Sequence, residues 1–583
     1  MTFKCGLLTA IFSLIFSMAQ AANLYVDGGA VEPNATWNSA NGSSYSCSHG
    51  TGRGYSTIAA AVAAMSSGDD IYIRGGTYNE IQINLKGMDG TSENYCSMQS
   101  YPGEWAIING NHSGSGDQRS VIYSTTSVHF WKFERLEITG GGASDASASY
   151  GAGIMLYSPS HVIFRYLYVH DNYAITNAGA SAGLHFSNGG GDGAARNLVI
   201  EYCHIKANGN PFGTHNTANA NIAIYSDYKY TNAVDLSSAM SKNTIRYNLI
   251  DGAHPTGYTD VGITHKAFQR LTGYMYGESG NQTDNLPNGT LGRTLGDKIH
   301  HNIIINHEMG MRADQDYVQF YNNIIWLSNK SSSESHCAWA GRDHWTSRRG
   351  SFWPCVYNNT IYGDEGSIHS FAVGSNYSGG TSAATDKTFI VNNIINGHNR
   401  NSYFSMIYIG PDLYDSLSGF STPKPIDISD LKLSRNFFYS CSGSSYVKVY
   451  KTTYDKASIQ ATSAADMIWV KNTPSPFLGS SGANKYITSG SYPLDDTHTV
   501  SNGGLGGSHP YLSGVTIPSY VGAVDPENDA WVAGVLGLAT LSNLQNATAG
   551  SDPSWITGDE DEPSTPATTQ SRSTYTISGG RMQ

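Results

Sequence analysis

Of the chain's 583 residues only 14% are charged, while Gly and Tyr number 65 and 38; ordinary globular chains carry roughly 25% charge. This balance suits many short strands and turns and excludes a chain built from long charged helices. A net charge of -12 and a pI near 5.8 exclude a nucleic-acid partner, which needs a basic face; an acidic polymer would have to find a locally basic groove.

In chain order, Lys4, the apolar run Leu7 to Met18 and Ala19-Gln20-Ala21 have the charged start, short hydrophobic core and small-residue cleavage site of a secretory signal. Residues 1–21 are therefore expected to be removed and the product to be secreted, extracellular or periplasmic. No later stretch reaches the roughly 18 apolar residues of a membrane span. Beyond Cys5 lie Cys47, Cys96, Cys203, Cys337, Cys355 and Cys441. Proximity suggests the disulfides Cys47–Cys96 and Cys337–Cys355, while Cys203 reads as a core thiol. No Cys/His spacing suggests zinc.

Tyr55 to Met65 reads as one amphipathic helix, with Ile58, Val62 and Met65 on a face, followed by the alternating strand Ile71 to Arg74. Such a helix suits the open end of a stacked-repeat core. From Phe133 a motif recurs in nine copies: Phe133-Glu-Arg-Leu-Glu-Ile138, Phe164 to Val169, Ile200 to Ile205, Ile245 to Ile250, Ile299 to Ile304, Phe320 to Ile325, Val356 to Ile361, Ile390 to Ile395 and Leu433 to Phe438. Its fourth residue passes from Leu136, Leu167 and Cys203 to Asn248, Asn302, Asn323, Asn359, Asn393 and Asn436, so like residues would stack and the asparagines would form a hydrogen-bonded ladder. The shortest step between copies is 21 residues, which suits one coil of a β-helix, with insertions in the longer steps. The fold expected is all-β: a single-stranded right-handed parallel β-helix of about ten coils with an N-terminal capping helix. Its catalytic body would span 22–440. Further coils and a cap, including Gly522 to Trp531, would fill 441–548, and 549–583 would be an acidic Ser/Thr/Pro-rich tail.

A second repeat follows the first: Gly153-Ile-Met-Leu-Tyr157, Gly183 to Ser187, Asn221 to Tyr225, Gly262-Ile-Thr-His-Lys266 and Gly310-Met-Arg-Ala-Asp314. If the second residue of each packs inward, alternation puts His185, Tyr225, Lys266, Arg312 and Asp314 on one outer face. The insertion from about Gln269 to Asp297 carries Tyr274 and Tyr276, whose rings could hold sugars beside that face. Trp339 and Arg342 are further substrate-binding candidates.

These residue types suit β-elimination on a uronic-acid polymer, in which a base takes the proton next to the carboxylate, the developing enolate is stabilised and the glycosidic oxygen is protonated. Arg312 suits the carboxylate, since its planar fork pairs with two oxygens. Lys266 suits the base if Arg312 lowers its pKa. Tyr225 is an alternative base or the acid, and His185 could assist. Asp227, Asp260, Glu308 and Asp316 are oxygen donors of the kind Ca²⁺ takes, equally suited to turns or ion pairs. His300, His301 and His307 lack a metal spacing and read as structural.

The start (Tyr55-Ser-Thr-Ile-Ala-Ala-Ala-Val62, then Gly68-Asp-Asp-Ile-Tyr-Ile-Arg-Gly-Gly-Thr-Tyr78) and the Asn-x-Ile coils resemble secreted right-handed parallel β-helix polysaccharide lyases over about residues 23–440. A Lys followed on the next coil by an Arg is similar to the alginate lyase and chondroitinase B family. The resemblance implies Lys266 as base, Arg312 as acid or neutraliser, and a Ca²⁺ on the substrate carboxylate, with Asp227 and Asp260 as its ligands here. A more distant β-helix lyase family using Tyr225 fits as well. The expectation is a monomeric secreted enzyme acting on an acidic polysaccharide, alginate first, then pectate or a glycosaminoglycan. A β-helix glycoside hydrolase and a non-catalytic glycan-binding or adhesin solenoid are the competing classes. No paired-Asp motif with a Gly-His-Gly partner, as in polygalacturonases, supports the hydrolase.

Overall fold

The computed structural model describes residues 21–28, 43–47, 50–111, 120–142, 151–173, 181–187, 195–210, 219–230, 242–254, 257–258, 261–271, 296–313, 318–327, 336–340, 355–366, 369–373, 389–399, 407–409, 431–439, 446–449, 452–460, 468–470, 506–508, 516–518, 521–525 and 530–555. Within these strands the side chains of 226–230, 266–271 and 336–340 fall outside the description.

The nine-fold motif folds the same way in every copy. Its third residue takes the left-handed conformation, with φ between 50° and 56° at Arg135, Tyr166, Tyr202, Tyr247, His301, Asn322, Asn358, Asn392 and Arg435. A left-handed residue turns an extended chain sharply, and β-branched residues adopt it worst; none stands at these nine places. Because the turn breaks strand alternation, residues on both sides of it point into one core. Phe133, Leu136 and Ile138 are all fully buried there, as are Phe164, Leu167 and Val169.

After the turn comes a 12-stranded sheet with one strand per coil, from Gly76–Tyr78 to Ile468–Val470, each parallel to the next. Before it comes a 24-stranded sheet folded at a corner, since strands such as Gly151–Arg165 cross from one face to another without interruption. The chain is therefore a right-handed single-stranded parallel β-helix with three faces. The helix Ile58–Ala64 closes its N-terminal end, burying Ile58, Ala61 and Val62. Thr57 caps this helix, and the Glu80 carboxylate accepts from Ile58 N at 2.8 Å and Ala59 N at 3.0 Å.

The asparagine column is a continuous ladder. Asn248 Nδ2 donates to Asn302 Oδ1 (3.0 Å), Asn302 to Asn323 (3.0 Å), Asn323 to Asn359 (3.1 Å), Asn359 to Asn393 (3.0 Å) and Asn393 to Asn436 (2.9 Å). Each amide also satisfies turn carbonyls; Asn323 Nδ2 donates to Ile299 O and Tyr321 O. A second ladder at another corner runs Asn172, Asn208, Asn221 and then His307 Nε2. It explains the glycines of the second repeat: a Cβ at Gly183 would lie 2.7 Å from Asn208 Nδ2. Asn221, which replaces glycine there, is itself a rung.

Two expectations are corrected. Cys96 and Cys355 are buried free thiols, so neither proposed disulfide forms. Cys96 faces the core and accepts from Gly68 N at 3.3 Å, and burial pushes its thiol up to about 11. Cys203 is a core thiol as expected, likewise raised, to about 12, by burial. The motif Gly522 to Trp531, expected to close the C-terminal end, lies instead along the flank. Ala523 N donates to Thr360 Oγ1 (2.9 Å), Trp531 meets His301 edge-on (5.1 Å between centroids), and the Gln545 carbonyl accepts from Arg135 (3.0 Å). The run turns back through the stretch expected as tail, where Ser551 O accepts from Tyr166 Oη at 2.6 Å. Val521, Ala523, Val532, Val535 and Leu544 share one buried cluster with the left-handed column's Tyr166, Tyr202 and Tyr247.

Two stability outcomes follow. Asn323→Ala strands turn carbonyls and breaks the ladder, so its urea unfolding free energy should fall by about 2–4 kcal/mol; a loss below about 0.5 kcal/mol would deny the ladder its role. Trp531→Ala should cost about 3–5 kcal/mol, the usual range for a buried Trp, although no coil contains it. An unchanged thermal midpoint would show the flank segment to be loosely held.

Candidate active site

The second repeat stacks in the register its sequence suggests. Met155 pairs with His185, His185 with Ala223, Ala223 with Thr264, Thr264 with Arg312 and Arg312 with Trp339. The second residues Ile154, Leu184, Ile222, Ile263 and Met311 all lie in the core, so this column faces outward by alternation. Two residues along, Tyr157 pairs with Ser187, and Tyr225 pairs directly with Lys266. Lys266 and Arg312 are thus diagonal neighbours on adjacent strands. At about 4.8 Å between strands and 3.3 Å per residue their Cα atoms lie roughly 8 Å apart, within reach of one sugar ring for side chains of their length.

The outward column is nevertheless buried: His185 is 3% exposed, Thr264 0% and Arg312 2%. Tyr225 is half-buried, and its ring packs against His185 at 5.3 Å between centroids, inclined by 56°. Burial lowers the His185 pKa to about 4, so at neutral pH it is an uncharged imidazole beside a phenol. That combination can hold or pass a proton without adding charge to the face.

Beneath this face the core carries a polar island that sequence reading missed. His265 points inward in a column otherwise filled by Leu156, Phe186, Ile224 and Ala313. Its Nδ1 lies 2.5 Å from Asp297 Oδ2, both side chains being 1% exposed. Asp297 Oδ1 accepts from Asn243 N at 2.8 Å, and Asn243 Oδ1 accepts from Leu198 N at 3.0 Å. Taking an ion pair out of water costs several kcal/mol per charge, repaid only by good geometry and added hydrogen bonds. The available signal was a lone histidine in an aliphatic column, legible once the repeats are aligned.

The other expected site residues are not brought together by the described structure. Tyr274, Tyr276, Asp260, Asp314, Asp316 and Arg342 lie outside the described residues, and the side chains of Lys266, Asp227 and Trp339 are likewise outside. Among the described residues no group of three or more His, Cys, Asp or Glu is placed to hold a metal ion, and no helix is long and apolar enough to cross a membrane.

The face and fold place the chain among parallel β-helix proteins. No protein family and no curated protein is matched by its sequence. Among solved structures it is similar to an alginate lyase from Paenibacillus sp. str. FPU-7, at 14% identity and TM-score 0.33, over 54% of this chain and 87% of that one. It is also similar to pectate lyase Pel9A, at 15% identity and TM-score 0.33, over 87% and 96%. A third is the GH136 lacto-N-biosidase from Eubacterium ramulus, at 11% and 0.38, over 79% and 70%.

The buried histidines set a pH dependence. His185 (about 4), His204 and His307 (each about 3) are all lowered from 6.5 chiefly by burial. A base whose folded pKa is depressed takes its proton more readily when unfolded, so stability falls as pH drops through the unfolded value toward the folded one. His185 alone should cost roughly 2 kcal/mol by pH 5. His170 works oppositely: burial lowers its pKa, but its hydrogen bonds to Asp171 and Glu137 outweigh that and raise it. The urea midpoint should drop between pH 7 and pH 5, and in His185→Gln it should drop less. A flat midpoint would contradict the burial of these rings.

Proposed function

We propose that the chain is a polysaccharide lyase that cleaves a uronic-acid-containing polysaccharide, alginate foremost, by β-elimination. The observation that carries this reading is the pairing of Tyr225 with Lys266 across adjacent strands, with Arg312 one strand further on. A phenol, an amine and a permanent guanidinium thereby share one face.

Arg312 pairs with the uronate carboxylate and makes the proton on the adjacent ring carbon more acidic. Lys266, its ammonium form disfavoured by that guanidinium, takes the proton. The electron pair left on carbon is delocalised into the carboxylate as an enolate held by Arg312, then forms the ring double bond as the glycosidic C–O bond breaks. Tyr225 gives its proton to the departing oxygen, and neutral His185 beside it orients the phenol. The roles of Lys266 and Tyr225 exchange without altering the balance of protons. Calcium held by Asp227 and Asp260 would add positive charge at the same carboxylate.

Near-ultraviolet absorbance of unsaturated uronides, followed on alginate, pectate and glycosaminoglycans, tests the reading. Alginate is expected to give the chromophore; another polymer giving it would move the substrate and keep the chemistry. Reducing ends without chromophore would mean a hydrolase, and neither would mean a binding solenoid. Lys266→Ala should lose about 10²- to 10⁴-fold in turnover with binding intact, and Arg312→Ala should damage both kcat and KM. The double variant should be little worse than the poorer single one. Near-normal turnover in Lys266→Ala with none in Tyr225→Phe would make Tyr225 the base. Turnover lost to a chelator and restored by Ca²⁺ would establish the metal.

A further inference from the structure

We propose that His265 and Asp297 form a positioning pair that locks the Lys266 strand in register beneath the candidate site; the catalytic half of this inference rests on the lyase reading above. His265 immediately precedes Lys266 on the strand Val261–Leu271 and sits between Ile224 of the Tyr225 coil and Ala313 of the Arg312 coil. Asp297 immediately precedes the strand Lys298–His300, which pairs with Thr244–Arg246 on one side and Gln319–Tyr321 on the other. The two therefore join the candidate face to the next face of the same coil.

Elsewhere this corner is crossed directly: the single strand Gly151–Arg165 carries Leu156 on one side of it and Val162 on the other, both fully buried. In the Lys266 coil the chain instead departs after the face strand and returns at Asp297, so chain continuity does not fix how the two sides meet. In a strand a slip of one residue exchanges every inward and outward side chain; here it would turn Lys266 into the core and His265 onto the face. Aliphatic packing resists such a slip only through shape. An imidazole held to a carboxylate at 2.5 Å, the carboxylate itself fixed by Asn243 N, resists it through an uncompensated buried charge. The island lies at the one coil where misplacement would remove the candidate base.

The preceding coil shows what would do without the pair, since it has Ile224 and Asn243 at the matching places. The double variant His265→Leu/Asp297→Asn copies that pattern: a leucine fits the aliphatic column, and an asparagine can still accept from Asn243 N as Asn243 does from Leu198 N. His265→Leu alone leaves Asp297 without the imidazole and should be less stable, whereas the double variant should regain the native melting temperature. If the pair positions Lys266, the double variant should lose about 10- to 100-fold in kcat with KM within about threefold. Its amides from Val261 to Lys266 should exchange hydrogen at least about tenfold faster, with those of Ile303–Ile305 unchanged. Native exchange in that segment, or a native kcat in an active enzyme, would overturn the inference. If the wild type makes no unsaturated product on any polymer, the lyase reading fails by itself, and the exchange measurement still decides whether the pair holds the strand.

Discussion

Everything in this molecule depends on one backbone event: a single left-handed residue followed by an inward side chain whose amide is passed to the coil above. A three-faced solenoid must turn without leaving peptide groups unpaired in its interior. The left-handed residue supplies the turn, and the asparagine one place later supplies the missing donors and acceptors. Repeating the unit at the same phase makes each rung the partner of two others. The early coils, with Leu136, Leu167 and Cys203 in the column, show that apolar residues fill it too, and Cys203 N still donates to Asn248 Oδ1. The ladder then begins wherever the sequence starts to provide amides.

The fold was legible because its signals repeat. Nine aligned copies expose a column of like residues that no single copy would reveal, and the Asn column implies adjacency directly. The turn's conformation was not legible, since Tyr, Arg, His and Asn all occupy its third position and only their shared avoidance of β-branching hints at it. The flank segment escaped for the opposite reason: it occurs once, without period, and its partners lie hundreds of residues away. The disulfide assignment failed because closeness along the chain says nothing about which face of a strand a thiol occupies; Cys96 points into the core.

At the candidate site the alignment of the second repeat predicted the strand register well, because alternating Ile, Leu and Met fix which residues face inward. What it left out was burial. His185, Thr264 and Arg312 face away from the core yet are nearly inaccessible, and burial makes His185 a neutral ring. The His265–Asp297 pair was missed because histidine in a strand signals nothing without a neighbouring column to compare. Polar groups otherwise confined to turns enter the aliphatic interior at the coils that carry Tyr225 and Lys266, so the scaffold departs from its own rule where chemistry is concentrated.

The segment from Pro518 to Trp555 gives this solenoid a property that stacked repeats ordinarily lack. A column of coils touching only its neighbours behaves as a one-dimensional array, which frays from its ends and loses units one at a time. Here Asn392 bonds to Pro518 O and Arg135 to Gln545 O, so one short stretch spans coils that otherwise never meet. It works as a tie rod: fraying at either end must first release contacts anchored near the other, and melting becomes a collective event. Mechanical pulling along the axis would then give one high-force rupture in place of a series of small ones.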